Sequence, residues 1–529
     1  MSRKGIITAV FALALALRLW GIWFGLPGID HGDESEVVNH ALRFGSGDLN
    51  PHRFQYGSFF QYILFTLYGL YFTAGYLAGA FPTVQSFAIA FVRDPSAFYL
   101  IARCLSALFG ALTVIVTYRM GCRLRGPAAG TGAALLMAVC FEHAVHSHYA
   151  TVDVFLTLLF TCALYRSLLV VENPSYKNIL IAGLAAGLSM AVKFNGAFAA
   201  IAVVLAAYAG QQGLSAAQRF FSARMLAALC VIPLGHFLAS PFFYISLPAA
   251  LEEIRQLRAM HASETFTLLR YLKGLATGQF GIPAGALCLA GFCRLMVVRD
   301  NRVRILLVTT AALLLFISLH AYTDPRYIFQ VFPVFAVAGA VLITEIIAPV
   351  KSRVLVALIW AALLAHPLYR TAAWDMDHSR RSATLQAKDW IEENIPVNAK
   401  VLIDNAGNKG PKLETSPEHL RAQYERARRH GLLKADYLAL KMEVEPRIYY
   451  RLYEVADPAG SRDDDYRNFC LWADLEEIGH PPDYYRSKGF EYIVVTKRLF
   501  AAMAQEGFVL LKEFRQGKKA IRVYRVAGP

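Results

Sequence analysis

Acidic residues stand beside long apolar segments at two points of this 529-residue chain. Asp33 and Glu34 follow the first apolar segment, and Asp153 begins a later one. Ionised carboxylates are costly at a membrane boundary, so acids at such positions are candidates for functional roles. The alternative for Asp33 and Glu34 is a solvated helix start, where acids interact favourably with the helix dipole. Spacing alone does not choose between these interpretations, whereas Asp153 needs a partner or a substrate.

Two cations occupy comparable boundary positions. Lys193 lies in a short break between two apolar segments, and Arg326 begins another apolar segment, followed by Tyr327. Arginine can hold a phosphate as a bidentate fork, and lysine can hold it as a point charge. The alternative for each is a long side chain that reaches to the lipid headgroups. Two cations and two acids predicted on the same membrane face favour a binding site for an anion.

A cluster of imidazole and carboxylate groups occurs between two of the apolar segments. Glu142, His143, His146 and His148 are residue types that can bind a divalent metal. His143 and His146 are one helical turn apart, whereas His148 falls beyond the expected end of the helix. The spacing therefore does not indicate a metal site, and we expect interfacial histidines and no certain cofactor.

Charge composition divides the chain near residue 375. The last 154 residues contain 49 charged residues, whereas the first 375 contain only 43. Residues 1–375 are therefore predicted to form a polytopic membrane body, and residues 376–529 a soluble domain. Of the net charge of +14, +11 belongs to the membrane body, so it indicates loop charge that sets orientation rather than nucleic-acid binding.

The basic residues predict the membrane topology. Lys and Arg gather in six short loops, which should all be cytoplasmic. This arrangement gives eleven spans with the N-terminus inside and the C-terminal domain outside. The predicted spans are 6–26, 97–118, 127–146, 152–171, 179–192, 194–210, 224–240, 279–296, 304–320, 327–346 and 353–371.

The apolar segment 59–80 does not fit this count, because a single crossing there would reverse every later loop. We place it in the outer loop 27–96 as an interfacial or re-entrant helix, since its many aromatic residues suit the headgroup region. The alternative is a span paired with a second crossing near residues 83–95. An amphipathic helix is also expected from about Asp33, with Glu36, His40 and Arg43 on its polar face.

The soluble domain has the pattern of a small α/β fold. A helix is predicted over 382–394, a helix-rich stretch over 417–442, and strands over 400–404, 491–496, 508–514 and 520–526. The last two strands should form a hairpin around residues 516–518. The fold class is thus a polytopic α-helical membrane protein with a C-terminal α/β domain.

Short motifs in the membrane body resemble the GT-C superfamily of glycosyltransferases. The resemblance is to the branch of protein O-mannosyltransferases and aminoarabinose transferases, which use polyprenyl-phosphate sugars. Two positions differ from the family pattern, because Gly57 stands where relatives often have proline, and Phe194-Asn195 separate Lys193 from Gly196. The matching elements are Gly32-Asp33-Glu34, Tyr56-Gly57-Ser58, His148 to Asp153, Gly187 to Lys193, and Arg326-Tyr327 followed by Pro333.

The resemblance implies an inverting transfer of a sugar from a polyprenyl-phosphate donor to an acceptor hydroxyl. Asp33 would be the general base, and Glu34 and Asp153 would orient hydroxyl groups. Lys193, Arg326 and Tyr327 would hold the lipid phosphate. Tyr56 and His148 are predicted to contact the acceptor or the sugar.

The expected partners are the lipid-linked sugar, membrane lipids and a lipid, glycan or protein acceptor, without nucleic acid. The expected location is a prokaryotic inner membrane, with the active site and the C-terminal domain on the extracytoplasmic side. The alternative function is a transporter or lipid flippase, which would favour internal repeats and ions near the middle of the bilayer.

Overall fold

A computed structural model describes residues 2–29, 31–261, 265–319, 323–405, 410–432, 434–444, 446–456, 471, 473–504 and 506–526. They form two compact units. The helical unit comprises Met1–Ile22, Glu36–Leu67 and Ile101–Asp375. The mixed unit comprises Trp23–Ser35, Tyr68–Leu100 and Met376–Pro529.

The described residues up to His378 are mostly helical, because helices satisfy the backbone polar groups of apolar segments internally. Polar side chains cap several helices, as where Ser175 Oγ accepts a hydrogen bond from the Asn178 N–H. In chain order the helices are α1 Arg3–Leu19, α2 Gly32–Arg43, α3 Phe59–Leu77, α4 Val84–Arg93, α5 Ser96–Arg125, α6 Pro127–Ala138, α7 Phe141–His146, α8 Val152–Glu172, α9 Tyr176–Met190, α10 Ala199–Ala209, α11 Ala216–Phe220, α12 Ala223–Ala239, α13 Pro241–Ile245, α14 Leu247–His261, α15 Leu268–Gly274, α16 Ile282–Met296, α17 Asn301–Ile317, α18 Phe332–Ile347 and α19 Arg353–His378.

Each span predicted from the sequence coincides with helix, although several boundaries differ. Segment 6–26 is helical only to Leu19, because Trp20 is extended with ψ 115° and Gly21 follows with a positive φ of 79°. Segment 127–146 is divided between α6 and α7. Among the described residues, five helices are long and apolar enough to cross a membrane: Ser96–Arg125, Val152–Glu172, Ala216–Ala239, Pro325–Ile347 and Arg353–Asn394. The count of eleven crossings stays a prediction.

Helix α3 is followed by a turn, and aromatic side chains contact each other around it. Phe81 packs against Tyr71 and Phe87 with ring centroids 5.4 Å and 5.0 Å apart. Helix α3 is not one of the five helices above. Whether it is re-entrant, interfacial or spanning stays a prediction.

Small side chains dominate the core of the helical unit. Helices α6, α10 and α18 contribute fully buried alanines, among them Ala133, Ala206 and Ala338. Small residues let helix backbones approach closely where lipid supplies no hydrophobic driving force between helices. This packing fixes the helix ends, and with them the polar residues at those ends.

The C-terminal sheet lies in the mixed unit. Helix α20 spans Ala383–Asn394, and α21 Pro417–Arg429 and α22 Lys434–Met442 follow β1. The described strands are β1 Lys400–Ile403, β2 Arg451–Val455, β3 Leu475–Glu476, β4 Tyr492–Thr496, β5 Phe508–Gln516 and β6 Lys519–Val526, in the order β3-β2-β1-β4-β6-β5.

The sequence predicted four of the six strands in this sheet. Strand β1 pairs in parallel with β2 and β4, whereas β6 runs antiparallel to β4 and β5. The helix, the four predicted strands and the terminal hairpin are confirmed. Strands β2 and β3 were not predicted, because β2 is only partly buried and β3 has two residues.

Candidate active site

A buried ion pair joins two of the residues selected from the sequence. Asp153 lies in the first turn of α8 and its side chain is 2% exposed. The Lys193 Nζ donates a hydrogen bond of 2.8 Å to Asp153 Oδ1. Because an unpaired buried charge is strongly unfavourable, each of these residues stabilises the charged form of the other.

The backbone around Lys193 explains how the lysine reaches Asp153. Helix α9 ends at Met190, and Lys193 adopts an extended conformation with φ −159° and ψ 142°. Gly57 N–H donates to the Val192 carbonyl at 3.1 Å. A Cβ atom at Gly57 would lie 2.0 Å from the Ala191 carbonyl oxygen, so this close approach needs glycine.

Two tyrosine rings flank the Lys193 ammonium group. Its nitrogen lies 5.5 Å from the centroid of Tyr56 and 5.1 Å from that of Tyr327. Both distances are within the range of cation–π attraction. The two rings thus enclose the lysine while its side chain remains 15% exposed. Tyr56 is therefore placed beside the lysine that the sequence assigned to a phosphate.

Arg326 belongs to the same group of charges. Its guanidinium carbon lies 5.5 Å from the centroid of the Tyr327 ring, which also flanks Lys193. Asp324 caps the 3-10 helix Pro325–Val331 and lies 3.6 Å from Arg326 Nε. The structure therefore brings together Tyr56, Asp153, Lys193, Arg326 and Tyr327, all of which the sequence selected.

Phe194 and Asn195, which separate Lys193 from Gly196, lie close to this group of charges. Phe194 and Asn195 lie in a short 3-10 helix, Phe194–Phe198. The Asn195 amide group lies 3.5 Å from the Tyr327 carbonyl oxygen. The insertion therefore connects the backbone after Lys193 to the residue whose ring flanks it.

A second polar cluster was not selected from the sequence. Arg53 Nη1 lies 3.6 Å from Glu36 Oε1, and Arg53 Nε lies 3.9 Å from Glu253 Oε1. Glu253 also accepts a hydrogen bond from the Phe54 N–H. This cluster anchors the segment that ends at Tyr56. Opposite charges in two loops that the sequence predicts to be outer were the available signal, but Arg53 and Glu253 are 200 positions apart and their pairing has no local pattern.

Asp33 and Glu34 belong to the mixed unit. The Asp33 N–H donates to His31 Nδ1 at 3.2 Å, and the Glu34 side chain is fully buried. Both acids lie in the first turn of α2, as expected. Their participation in one site with Lys193 stays a prediction.

His148 has surroundings that differ from those expected for a sugar contact. The side chain is fully buried, with Nδ1 3.0 Å from the Ala144 carbonyl and Nε2 3.1 Å from the Trp20 carbonyl. Burial lowers the pKa of His148 to about 4, so the imidazole is neutral at pH 7. A direct role in binding stays a prediction for this residue.

The histidine cluster does not assemble as a metal site. His146 Nε2 lies 3.8 Å from Glu142 Oε2, whereas His143 lies 3.2 Å from an Arg18 nitrogen. Within the described ranges, no three His, Cys, Asp or Glu side chains are grouped as metal ligands.

Comparisons with known proteins show similarity at the level of the fold. Residues 98–237 match a family model described as dolichyl-phosphate-mannose-protein mannosyltransferase. Comparison with curated protein sequences finds no significant match. ArnT from Cupriavidus metallidurans in the apo state is similar over 100% of both chains, with 15% identity and a TM-score of 0.56.

Two further solved structures are similar. The Archaeoglobus fulgidus oligosaccharyltransferase complex with Zn and sulfate has 13% identity and a TM-score of 0.50, covering 99% of this chain and 73% of that chain. ArnT from Cupriavidus metallidurans bound to undecaprenyl phosphate has 15% identity and a TM-score of 0.48 over 100% of both chains. The predicted resemblance to GT-C glycosyltransferases is confirmed at the level of the fold, and the apolar helices are consistent with an integral membrane protein.

Proposed function

We propose that the chain is an inverting glycosyltransferase that moves a sugar from a polyprenyl-phosphate donor to an acceptor hydroxyl at the outer face of a prokaryotic inner membrane. The observation that carries the proposal is the Lys193–Asp153 ion pair, which is flanked by Tyr56 and Tyr327, with Arg326 beside the Tyr327 ring. Burying this many charged groups among apolar helices is costly, so such residues are candidates for binding a ligand.

The two cations suit the phosphate of a lipid-linked sugar. A glycosyl phosphate already has a leaving group, so catalysis requires stabilisation of charge on the departing phosphate. Lys193 donates one hydrogen bond to Asp153 and has further N–H donors. Arg326 supplies a planar fork beside the same tyrosine ring. Together they can neutralise a phosphate as the anomeric carbon–oxygen bond breaks.

The ion pair favours different roles for the acids. A carboxylate that accepts a hydrogen bond from an ammonium group is a weaker base, so Asp153 suits the orientation of Lys193 and substrate hydroxyls. Proton removal from the acceptor is assigned to Asp33, with Glu34 orienting the acceptor or the sugar. Direct attack of the acceptor oxygen on the anomeric carbon inverts its configuration.

The proposal is tested with purified protein and a labelled polyprenyl-phosphate sugar. We expect free polyprenyl phosphate to appear only when an acceptor fraction from the cell envelope is added, together with labelled acceptor. A transporter or flippase would move the intact donor across a vesicle bilayer without releasing polyprenyl phosphate. That second outcome would contradict the proposal.

A further inference from the structure

Arginines from three helices meet at the end of the helical unit opposite to Asp153. Helix α8 begins beside Asp153 and ends at Glu172. At 1.5 Å per residue these ends are roughly 29 Å apart, about the thickness of the hydrocarbon core. Arg123 and Arg125 lie at the end of α5, Arg294 near the end of α16 and Arg302 at the start of α17.

Two glutamates in this cluster each contact two arginines. Glu345 Oε1 lies 3.2 Å from Arg125 Nη2, and its Oε2 lies 3.6 Å from Arg294 Nε. Glu172 lies 3.1 Å from Arg123 and 2.9 Å from Arg302. Because a guanidinium group has five N–H donors, one shared carboxylate leaves donors of Arg125 and Arg294 for another anion.

The cluster as a whole is positive. Asp300 pairs with Arg302 at 2.8 Å, so three acids face four arginines. Arg299 and Arg304 are exposed nearby in sequence and add to the positive potential. Such a surface favours an anionic ligand over a neutral one.

The arginines border a cavity with an apolar wall. The cavity has a volume of about 280 Å³, room for roughly nine water molecules at ~30 Å³ each. Charged side chains line one part, including Arg125, Arg294, Arg302 and Glu345. The remaining lining is aliphatic, from Leu124, Leu295, Val298, Val303 and Val341.

We propose that this cavity binds the phosphate of an anionic phospholipid headgroup at the membrane surface opposite to Asp153. Arg125 and Arg294 would contact the phosphate oxygens, and the aliphatic wall would contact the glycerol and the first acyl carbons. Basic pockets between membrane helices are suited to such headgroups. The site is separate from the proposed donor site and does not depend on transferase activity.

The test measures thermal unfolding of the detergent-purified protein titrated with phosphatidylglycerol, phosphatidylcholine or inorganic phosphate. We expect phosphatidylglycerol to raise the unfolding temperature in a saturable way, with phosphatidylcholine having little effect. Arg125→Gln combined with Arg294→Gln should raise the midpoint concentration of phosphatidylglycerol roughly tenfold or more. Arg255→Gln, which changes an arginine that is 78% exposed in α14 and does not line the cavity, is the control and should leave the midpoint unchanged.

Glu345→Gln separates lipid binding from a purely structural ion-pair network. Removing this acid frees both arginines, so the phosphatidylglycerol midpoint should fall. An ion-pair network alone would lose stability in Glu345→Gln without any change in lipid dependence, and that result would overturn the proposal. Equal stabilisation by phosphatidylcholine would also overturn it. If inorganic phosphate gave the full effect at the same concentration, free phosphate rather than lipid would be the occupant.

Discussion

The Lys193 ammonium nitrogen lies 2.8 Å from Asp153 Oδ1, although 40 positions of the chain separate the two residues. One partner begins a helix and the other follows the end of the next helix. Both residues therefore lie at the same end of the helical unit. The pair places a positive charge between two tyrosine rings.

Lys193→Met should destabilise the protein more than removal of the whole pair. Asp153 is 2% exposed, and loss of its counter-ion costs about 3–5 kcal/mol. Adding Asp153→Asn in the same chain should recover part of that loss. Thermal unfolding of the single and double variants measures this coupling, and strictly additive changes would argue against a paired function.

Arg326→Ala should weaken donor binding. Loss of one charge-assisted hydrogen bond to phosphate predicts a dissociation constant raised roughly tenfold to hundredfold. Titration with a non-transferable polyprenyl-phosphate sugar measures this change. Arg255→Ala is the matched control, because Arg255 is 78% exposed in α14. Donor affinity that is the same in both variants would remove Arg326 from the phosphate site.

Glu253→Ala should reduce apparent donor affinity indirectly, through the segment that ends at Tyr56. Glu253 accepts a hydrogen bond from the Phe54 N–H and lies 3.9 Å from Arg53. Residues 53–56 end at Tyr56, whose ring lies beside Lys193. Loss of one hydrogen bond predicts a donor KM raised about two- to tenfold. Its neighbour Glu252, which is 56% exposed, supplies the control Glu252→Ala. A change in stability alone, with unchanged KM, would contradict a positioning role.

Stability should fall in acid partly because of His148. Burial lowers its pKa from 6.5 to about 4, so between these values the unfolded chain binds a proton that the folded chain does not. The free energy of unfolding should therefore decrease as pH falls through this window, by up to about 3 kcal/mol. His148→Gln should lose this component, as pH-dependent unfolding would measure. An identical pH profile for both proteins would contradict it.

Much of the candidate site could be predicted from the sequence, because boundary charges are rare in apolar helices. Asp153, Lys193 and Arg326 stood out for this reason. Lys193 bonds to Asp153, and Lys193 and Arg326 both lie beside the Tyr327 ring. The hydrophobic segments likewise predicted where helices occur.

Other features depend on contacts that no local pattern contains. The Arg53–Glu253 contact joins two distant loops, and β2 and β3 are short strands with partly exposed side chains. The early end of α1 lies at Trp20, which is extended and precedes Gly21 with its positive φ, and an apolar segment does not reveal this. The fit of Gly57 against Ala191 appears only once two backbones are placed side by side.

The central claim is tested most directly by acceptor-dependent sugar transfer in Asp33→Asn. Asp48→Asn is a suitable control, because Asp48 is 50% exposed in the same outer loop and pairs with His52. We predict that Asp33→Asn binds the labelled polyprenyl-phosphate sugar normally but releases no polyprenyl phosphate, whereas Asp48→Asn turns over like the wild-type protein. Normal turnover by Asp33→Asn would contradict the assignment of Asp33 as the base.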